Sequence, residues 1–510
     1  MTLDDPAGAP LPPVAAESRG VRLASAFGVR EAGRVLRDFV TYLPTQIIPA
    51  IAGFLVLPIL ARQLAPTELG VLAIAQTLIT LSWIVSAQWL GNAIMRELPA
   101  SRASGELQIF SATLLRGLGI AALLLAVVSA GLALVGLFAE AIGDNLMLIL
   151  AAAAGLVLHN VALTLFASSL RPRAYVAVDV LGRTGGIALG VVLVFEGHKV
   201  HGYLLGVAVA SCLVGALGLW AGWPRGGSSA PGTRTDVRAW ALYGAPLAIG
   251  TVAVFALLLI DRYLLAALKD TAAVGVYSVG AVLGDKAVVI PTFAFFTAAR
   301  PLLVTAFERD GRVEVERLMR AYTRIVLLIG LPVVAMAAAT AGDLVPLLAG
   351  GDYEEFYEPA AAVVPIVAGG SLLYALSRVG ETGLVVAKRT RPFVAAAGFA
   401  LTVNIVANVI LIPPFGIKGA AIATPIGNLA LLLAVQFYAR RHATWRFPYR
   451  TLVRGALAAG AGYGAARLAM ELADSGLARV ALAAAAGGAA YLAGLALLGE
   501  RRGSAPAASA

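Results

Sequence analysis

RPRAYVAVDVLGRTGGIALGVVLV, residues 171–194, and RTRPFVAAAGFALTVNIVANVILI, residues 389–412, read as two copies of one segment. Without a gap, Arg171 falls on Arg389, Arg173 on Arg391, Val176 on Val394 and Ala177 on Ala395. At the same offset farther on, Thr184 falls on Thr402, Ile187 on Ile405, Val191 on Val409 and Leu193 on Leu411. A repeat of this length in an apolar chain marks two similar halves. Among membrane proteins, duplicated helical halves are the architecture of transporters that bind their cargo between the halves.

The chain is 59% hydrophobic and 13% charged, where a soluble domain carries roughly 25% charge. That composition predicts an all-α integral membrane protein. Its apolar runs reach the ~20 residues a membrane helix needs, and barrel-type alternation does not dominate. About 14 spans fit, beginning near residues 39, 70, 108, 145, 174, 201, 241, 273, 321, 358, 392, 417, 450 and 477. The single Cys212 lies in an apolar run, which excludes a disulfide framework and a thiolate metal site. The net charge of +10 is scattered between apolar runs, so membrane topology explains it better than nucleic acid.

Residues 1–38 read as a polar tail. It ends in an amphipathic segment, SAFGVREAGRVLRDF from Ser25, suited to a membrane surface. Residues 39–223 form a first lobe of six spans and 241–439 a second. Between them, 224–240 (PRGGSSAPGTRTDVR from Pro224) is a polar linker. An Ala- and Gly-rich pair of spans, 440–499, has no counterpart, and 500–510 is a second tail. With the N-terminus inside, the inner segments hold 26 Lys and Arg against five outside (Arg62, Lys199, Lys269, Lys418 and Arg479). That predicts both termini in the cytoplasm of a bacterial inner membrane. Six spans per lobe give both lobes one orientation, related by a pseudo-two-fold axis along the membrane normal.

A second, gapped repeat supports the division. PTQIIPAIAGFLVLPILARQLAPTELGVL from Pro44 matches PLAIGTVAVFALLLIDRYLLAALKDTAAVGVY from Pro246. Arg62 and Arg262 share one place in it, and Gly70 and Gly275 another.

At these residues the chain resembles a known family. LPILARQLAPTELGVLAIAQTL from Leu57 is similar to the opening signature of the polysaccharide-export (Wzx-type) flippases. DRYLLAALKDTAAVGVYSVG from Asp261 is similar to their seventh span, and FGIKGAAIATPIGNLALLL from Phe415 to their twelfth. LLAGGDYEEFYEPAAAVVPIVAGG from Leu347 resembles their ninth-to-tenth connection. The resemblance covers 35–440. It implies the two-lobed fold of the multidrug/oligosaccharidyl-lipid/polysaccharide superfamily. It also implies a polyprenyl-diphosphate-linked oligosaccharide as cargo, membrane lipids as partners, and polysaccharide polymerase and export machinery nearby.

Charges inside spans are costly and mark candidate sites. Asp285 and Lys286 lie about 18 Å into span eight; they read as a phosphate-binding cation with a protonatable neighbour, or as a buried structural pair. Arg378 and Glu381 share a face of span ten, and Asp179 and Arg183 a face of span five. Each pair lines a cavity or braces its helix, and Arg183 is long enough to snorkel. Asp285, Glu381 and Asp179 are candidates for ion coupling. Arg62, Asp261 and Arg262 sit at outer span ends and suit a gate between lobes. In the repeat, Gly182, Gly186 and Gly190 become Ala400, Asn404 and Asn408, and Arg183 becomes Leu401. The two amides either line a cavity or bond to a neighbouring helix. Gln76, Gln88 and Asn92 form a polar strip on span two; His159 bridges helices or carries a proton.

No P-loop, metal-ligand cluster or nucleophile elbow is visible, so no cofactor, metal or catalytic residue is expected. The leading expectation is a lipid-linked oligosaccharide flippase working by alternating access. A peptidoglycan-precursor flippase or a multidrug exporter would share the fold. A polysaccharide polymerase or ligase would need a larger outer loop, and a scaffold would have no need to bury charge.

Overall fold

The computed structural model describes residues 44–45, 48–49, 51–135, 143–226, 236–349, 354–386, 391–443, 445, 447–472 and 476–499. The amphipathic segment, the middle of the linker, Arg389 and Thr390 of the second repeat copy, and the C-terminal tail lie outside them.

Everything described is helix or short connection. The first lobe holds α1 (Ile51–Gln63), α2 (Pro66–Ser104), α3 (Leu107–Val135), α4 (Leu146–Ser168), α5 (Pro172–Leu193) and α6 (Lys199–Gly222). The second holds α7 (Val237–Leu268), α8 (Thr271–Ala349), the single turn α9 (Glu354–Tyr357), α10 (Ala360–Val386), α11 (Arg391–Phe415) and α12 (Ile417–Ala443). The pair α13 (Tyr449–Met470) and α14 (Gly476–Leu497) packs on itself and on α8. Among the described residues, eleven stretches are long and apolar enough to cross a membrane, and one of them, Pro172–Gly222, contains both α5 and α6. With the shorter α1 and the more charged α13, this is consistent with about fourteen crossings.

Local chemistry sets the helix starts. Pro66 opens α2, where its missing N–H costs nothing, and the Ala65 amide donates to Glu68 Oε2 at 2.9 Å. Asp236 accepts from the Ala239 amide at the start of α7, and Asp270 from the Ala273 amide at the start of α8. After α5 and α11 the chain reverses through left-handed glycines, Gly197 (φ 91°) and Gly416 (φ 56°), close to equivalent places in the repeat.

The sequence predicts a loop between spans eight and nine, yet Thr271–Ala349 is helical throughout. It cannot be straight. Gly284 packs on Val364 and Gly330 on Leu372, both on α10. The stretch between the two glycines would run about 69 Å as a straight helix, while their contacts on α10 are separated by about 12 Å. Both halves of α8 therefore lie alongside α10, and the chain doubles back between them.

Within each lobe the same interface is closed in two ways. The buried face of α5 is Asp179, Gly182, Gly186 and Gly190. Gly190 and Gly206 bring α5 and α6 into backbone contact, where a Cβ on either would meet the other helix. One turn away, where α5 has Gly186, α11 carries Asn404, whose amide donates to the Ala423 carbonyl of α12 at 3.1 Å.

The lobes meet mainly along α2, which packs on both α7 and α8. At one end, a Cβ on Gly70 would strike the Thr271 carbonyl and one on Gly275 the Pro66 carbonyl. Pro66 to Thr271 and Gly70 to Gly275 are equal steps along the chain. The contact is thus nearly self-complementary, with the pseudo-two-fold axis running between α2 and α8. At the other end Asn92 Nδ2 donates to the Gly244 carbonyl at 3.3 Å, Arg96 lies 4.6 Å over the Tyr243 ring, and the Phe110 and Trp240 rings are 5.1 Å apart.

Candidate functional site: one cavity in each lobe

Two cavities, each with one or more charged side chains in a largely apolar wall, occupy equivalent places in the two lobes. The first, about 340 Å³, lies between α2, α4 and α5; its polar lining includes Gln88, Asn92, Asn160, Thr164, Tyr175 and Arg183. The second, about 370 Å³, lies between α7, α8, α10 and α11; Asp285, Tyr374, Arg378, Glu381 and Phe393 line it. Tyr175 and Phe393 are related by the same offset as the repeat, and so are Asn160 and Arg378. That offset therefore maps one cavity onto the other.

Each cavity presents a guanidinium steadied by a carboxylate one helical turn away. Arg183 Nε donates to Asp179 Oδ1 at 2.8 Å; the carboxylate is buried, while the arginine side chain is 53% exposed. Arg378 Nη1 donates to Glu381 Oε2 in a short contact. Asp285 Oδ1 accepts from Ser371 Oγ at 2.8 Å. Lys286 lies 3.7 Å from Asp285 Oδ2, but one residue turns a helical side chain through about 100°, and Lys286 is not part of the lining.

A third cavity, about 240 Å³, lies between the lobes under the Gly70–Gly275 contact. Leucines 57, 60, 69 and 72 line it with Gln76, Tyr203 and Arg262. Asp261 beside it is buried and bound within its own lobe: Tyr277 Oη donates to Oδ2 in a short contact, and the Arg262 amide donates to Oδ1 at 2.9 Å. Arg62 crosses between lobes, donating to the Leu347 carbonyl at 2.8 Å, and Tyr357 Oη returns a bond to the Leu64 carbonyl at 3.3 Å.

The structure brings Arg378, Glu381 and Asp285 together and puts Arg183 in the opposite lobe. It places Asn404 and Asn408 in neither cavity. Both are fully buried, and the Asn408 amide donates back to the Asn404 carbonyl and Oδ1, so this pair serves helix packing. Tyr374 and Tyr175 carry no charge and were missed as lining residues. Applying the repeat offset to Asn160 and Arg378 would have found both walls. Among the described residues no cluster of His, Cys, Asp and Glu could hold a metal ion.

Comparison with known proteins fits this architecture. The family model described as polysaccharide biosynthesis protein matches residues 35–307, more than half of the chain, and the MatE model matches 246–410. A search of curated proteins finds no match. Among solved structures, the chain is similar to the lipid II flippase MurJ in an inward closed conformation. The TM-score is 0.71 at 11% identity, over 91% of this chain and 98% of that one. It is also similar to an inward-facing multidrug resistance MATE family transporter, with TM-score 0.60 and 14% identity over 79% and 98%. A transporter from Pyrococcus furiosus gives 0.59 and 13% over 80% and 95%. The chain belongs to the polysaccharide biosynthesis protein family and has the multi-pass transporter fold of the multidrug/oligosaccharidyl-lipid/polysaccharide superfamily.

Proposed function

We propose that the protein is a flippase that moves a polyprenyl-diphosphate-linked oligosaccharide from the cytoplasmic to the periplasmic leaflet of a bacterial inner membrane, for surface or exopolysaccharide synthesis. Both termini are cytoplasmic, and the lobes alternate access around the cavities. The observation that carries this reading is the pair of repeat-equivalent cavities, each with a guanidinium on a buried scaffold. A diphosphate is bound best by charge-assisted donors, and Arg183 with the Gln88, Asn92 and Asn160 amides supplies them. The second cavity has Glu381 and Asp285 against one Arg378 and is better suited to accept hydrogen bonds from glycan hydroxyls. Arg62, Asp261 and Arg262 form the gate at the Gly70–Gly275 end. Asp285, Glu381 or Asp179 couples transport to protons or sodium, and polysaccharide polymerase or export machinery receives the product.

The test uses a strain lacking this gene and any paralogue, in which labelled lipid-linked oligosaccharide reaching the periplasmic leaflet is counted. Loss of transfer, restored by the wild-type gene but not by Arg378→Ala at equal membrane abundance, supports the reading. Unimpaired transfer without the protein ends it.

One observation favours a second reading, a flippase for a peptidoglycan lipid precursor. The similarity to the lipid II flippase spans 91% of the chain, against 79% for the inward-facing drug transporter, so it takes in more than the twelve-helix frame. Offering both lipid precursors in the same assay separates the two.

A further inference from the structure

His159 on α4 is buried, with 1% of its surface exposed, and neither ring nitrogen has a hydrogen-bond partner among the described residues. An unsatisfied buried polar ring is costly and calls for a reason. Its Nε2 lies 3.7 Å from Asp179 Oδ1, the same oxygen that Arg183 Nε holds at 2.8 Å. The ring has room because residue 182 is glycine: a Cβ there would run into it. One carboxylate oxygen thus faces two basic side chains and bonds to one.

The repeat shows that this cluster is an addition to the fold. At the same offset, His159, Asp179, Gly182 and Arg183 become Ser377, Ala397, Ala400 and Leu401. The second lobe folds the same way with none of the three ionisable groups, and Ser377 simply caps back to the Tyr374 carbonyl at 2.7 Å.

We propose that His159, Asp179 and Arg183 form a proton-linked anion site in the first-lobe cavity. With His159 neutral, Asp179 is paired to Arg183. When His159 Nε2 takes a proton from water, the imidazolium claims Asp179. Arg183, already half exposed to the cavity, is then left to bind an anion of the phosphate or sulfate class. One proton is taken up and one anion site is gained; only hydrogen bonds are exchanged. Reciprocity requires that anion binding in turn draw up a proton. The other groups facing His159 leave the count unchanged. From α6 these are Gly215 on its backbone and, one turn away, Ser211 and the Cys212 thiol. Around Arg183 the cavity wall adds the uncharged amides of Gln88, Asn92 and Asn160 and the phenol of Tyr175, which is neutral at both test pH values. The inference rests on the proposed function only in taking this cavity as an anion pocket.

The test is titration calorimetry of the full chain in detergent with sodium sulfate, a dianion throughout, at fixed ionic strength. Measurements are made at about pH 5.5 and about pH 8, either side of the range in which histidine side chains titrate. Wild-type affinity is expected to rise about tenfold at the lower pH, within the usual range of coupling between sites. His159→Gln should bind weakly at both values and Asp179→Asn tightly at both, while Arg183→Gln should lose the site. A wild-type pH response surviving in His159→Gln, or in Asp179→Asn should the first variant not fold, overturns the proton link. Arg183-dependent binding that is equal at both pH values overturns the link and leaves the anion cavity standing. Absence of Arg183-dependent binding at either pH overturns both.

Discussion

Adding a single methyl at Gly70 should pry the lobes apart at one end without unfolding either. The new Cβ would overlap the Thr271 carbonyl oxygen, a backbone atom that cannot swing aside. Overpacking of this kind costs about 1–3 kcal/mol. Here the strain falls on the apposed state alone, because α2 and α8 belong to different lobes. Relief comes from separation, so the balance between apposed and separated ends should shift about 5- to 150-fold. Gly275→Ala should do the same by the symmetry-related overlap with the Pro66 carbonyl. A Cβ at Gly275 also reaches the Gly70 amide, so the two sites are neighbours and their effects should fall short of additive. The assay places a cysteine at Gln76, which is exposed and lines the cavity beneath the contact, in a Cys212→Ser background. Its rate of labelling by a membrane-impermeant maleimide outside intact cells reads the open population. Each glycine variant should raise that rate, and the double variant should raise it by less than the product. Parental labelling in both single variants, or an effect at only one of the two glycines, would refute the pseudo-symmetric contact.

Two further expectations concern single side chains. Arg378→Ala leaves the mostly buried Glu381 carboxylate without its guanidinium and should lower thermal stability in detergent by about 1–3 kcal/mol. Adding Glu381→Ala should recover stability but not lipid transfer, and transfer by the double variant would remove Arg378 from the site. Asn404→Ala loses the bond to the Ala423 carbonyl and one of the two acceptors for Asn408 Nδ2, at a cost of about 1–3 kcal/mol. Transfer per molecule should be unchanged; a specific loss of transfer with stability intact would return the amide to a cavity.

The fold was legible because helix period and length are local signals, and the repeat tied distant segments together. The repeat spacing even carries the equivalence of the two cavities, through Asn160 with Arg378 and Tyr175 with Phe393. What sequence could not decide was direction around a helix packed on all sides. Asn404 and Asn408 lie at membrane depth like Arg378, and polarity alone does not say whether an amide meets a cavity or a carbonyl of α12. The reversal inside α8 was equally hidden. A charged segment between two apolar runs reads as a loop, while Thr271–Ala349 keeps helical backbone through it. Gly70 and Gly275 were visible as matching positions, but only the structure shows that each packs against the start of the other's helix.

The two lobes have kept one backbone and diverged in charge. At the equivalent interface, the glycine-to-glycine contact of α5 and α6 gives way to glycines on α12 alone, Gly419 against Leu411 and Gly427 against Asn404, with the Asn404 bond added, and either solution holds the helices together. With packing secured independently, the cavity walls are free to change. The first lobe pairs one arginine with a carboxylate buried behind it, so the face it shows the cavity is a cation among amides. The second shows one arginine together with two carboxylates, Glu381 and Asp285. A cargo that is anionic at one end and rich in hydroxyls at the other would meet each chemistry once. Two identical lobes would offer two equal sites and no orientation, whereas under the proposed function this pair would give the cargo a direction across the protein.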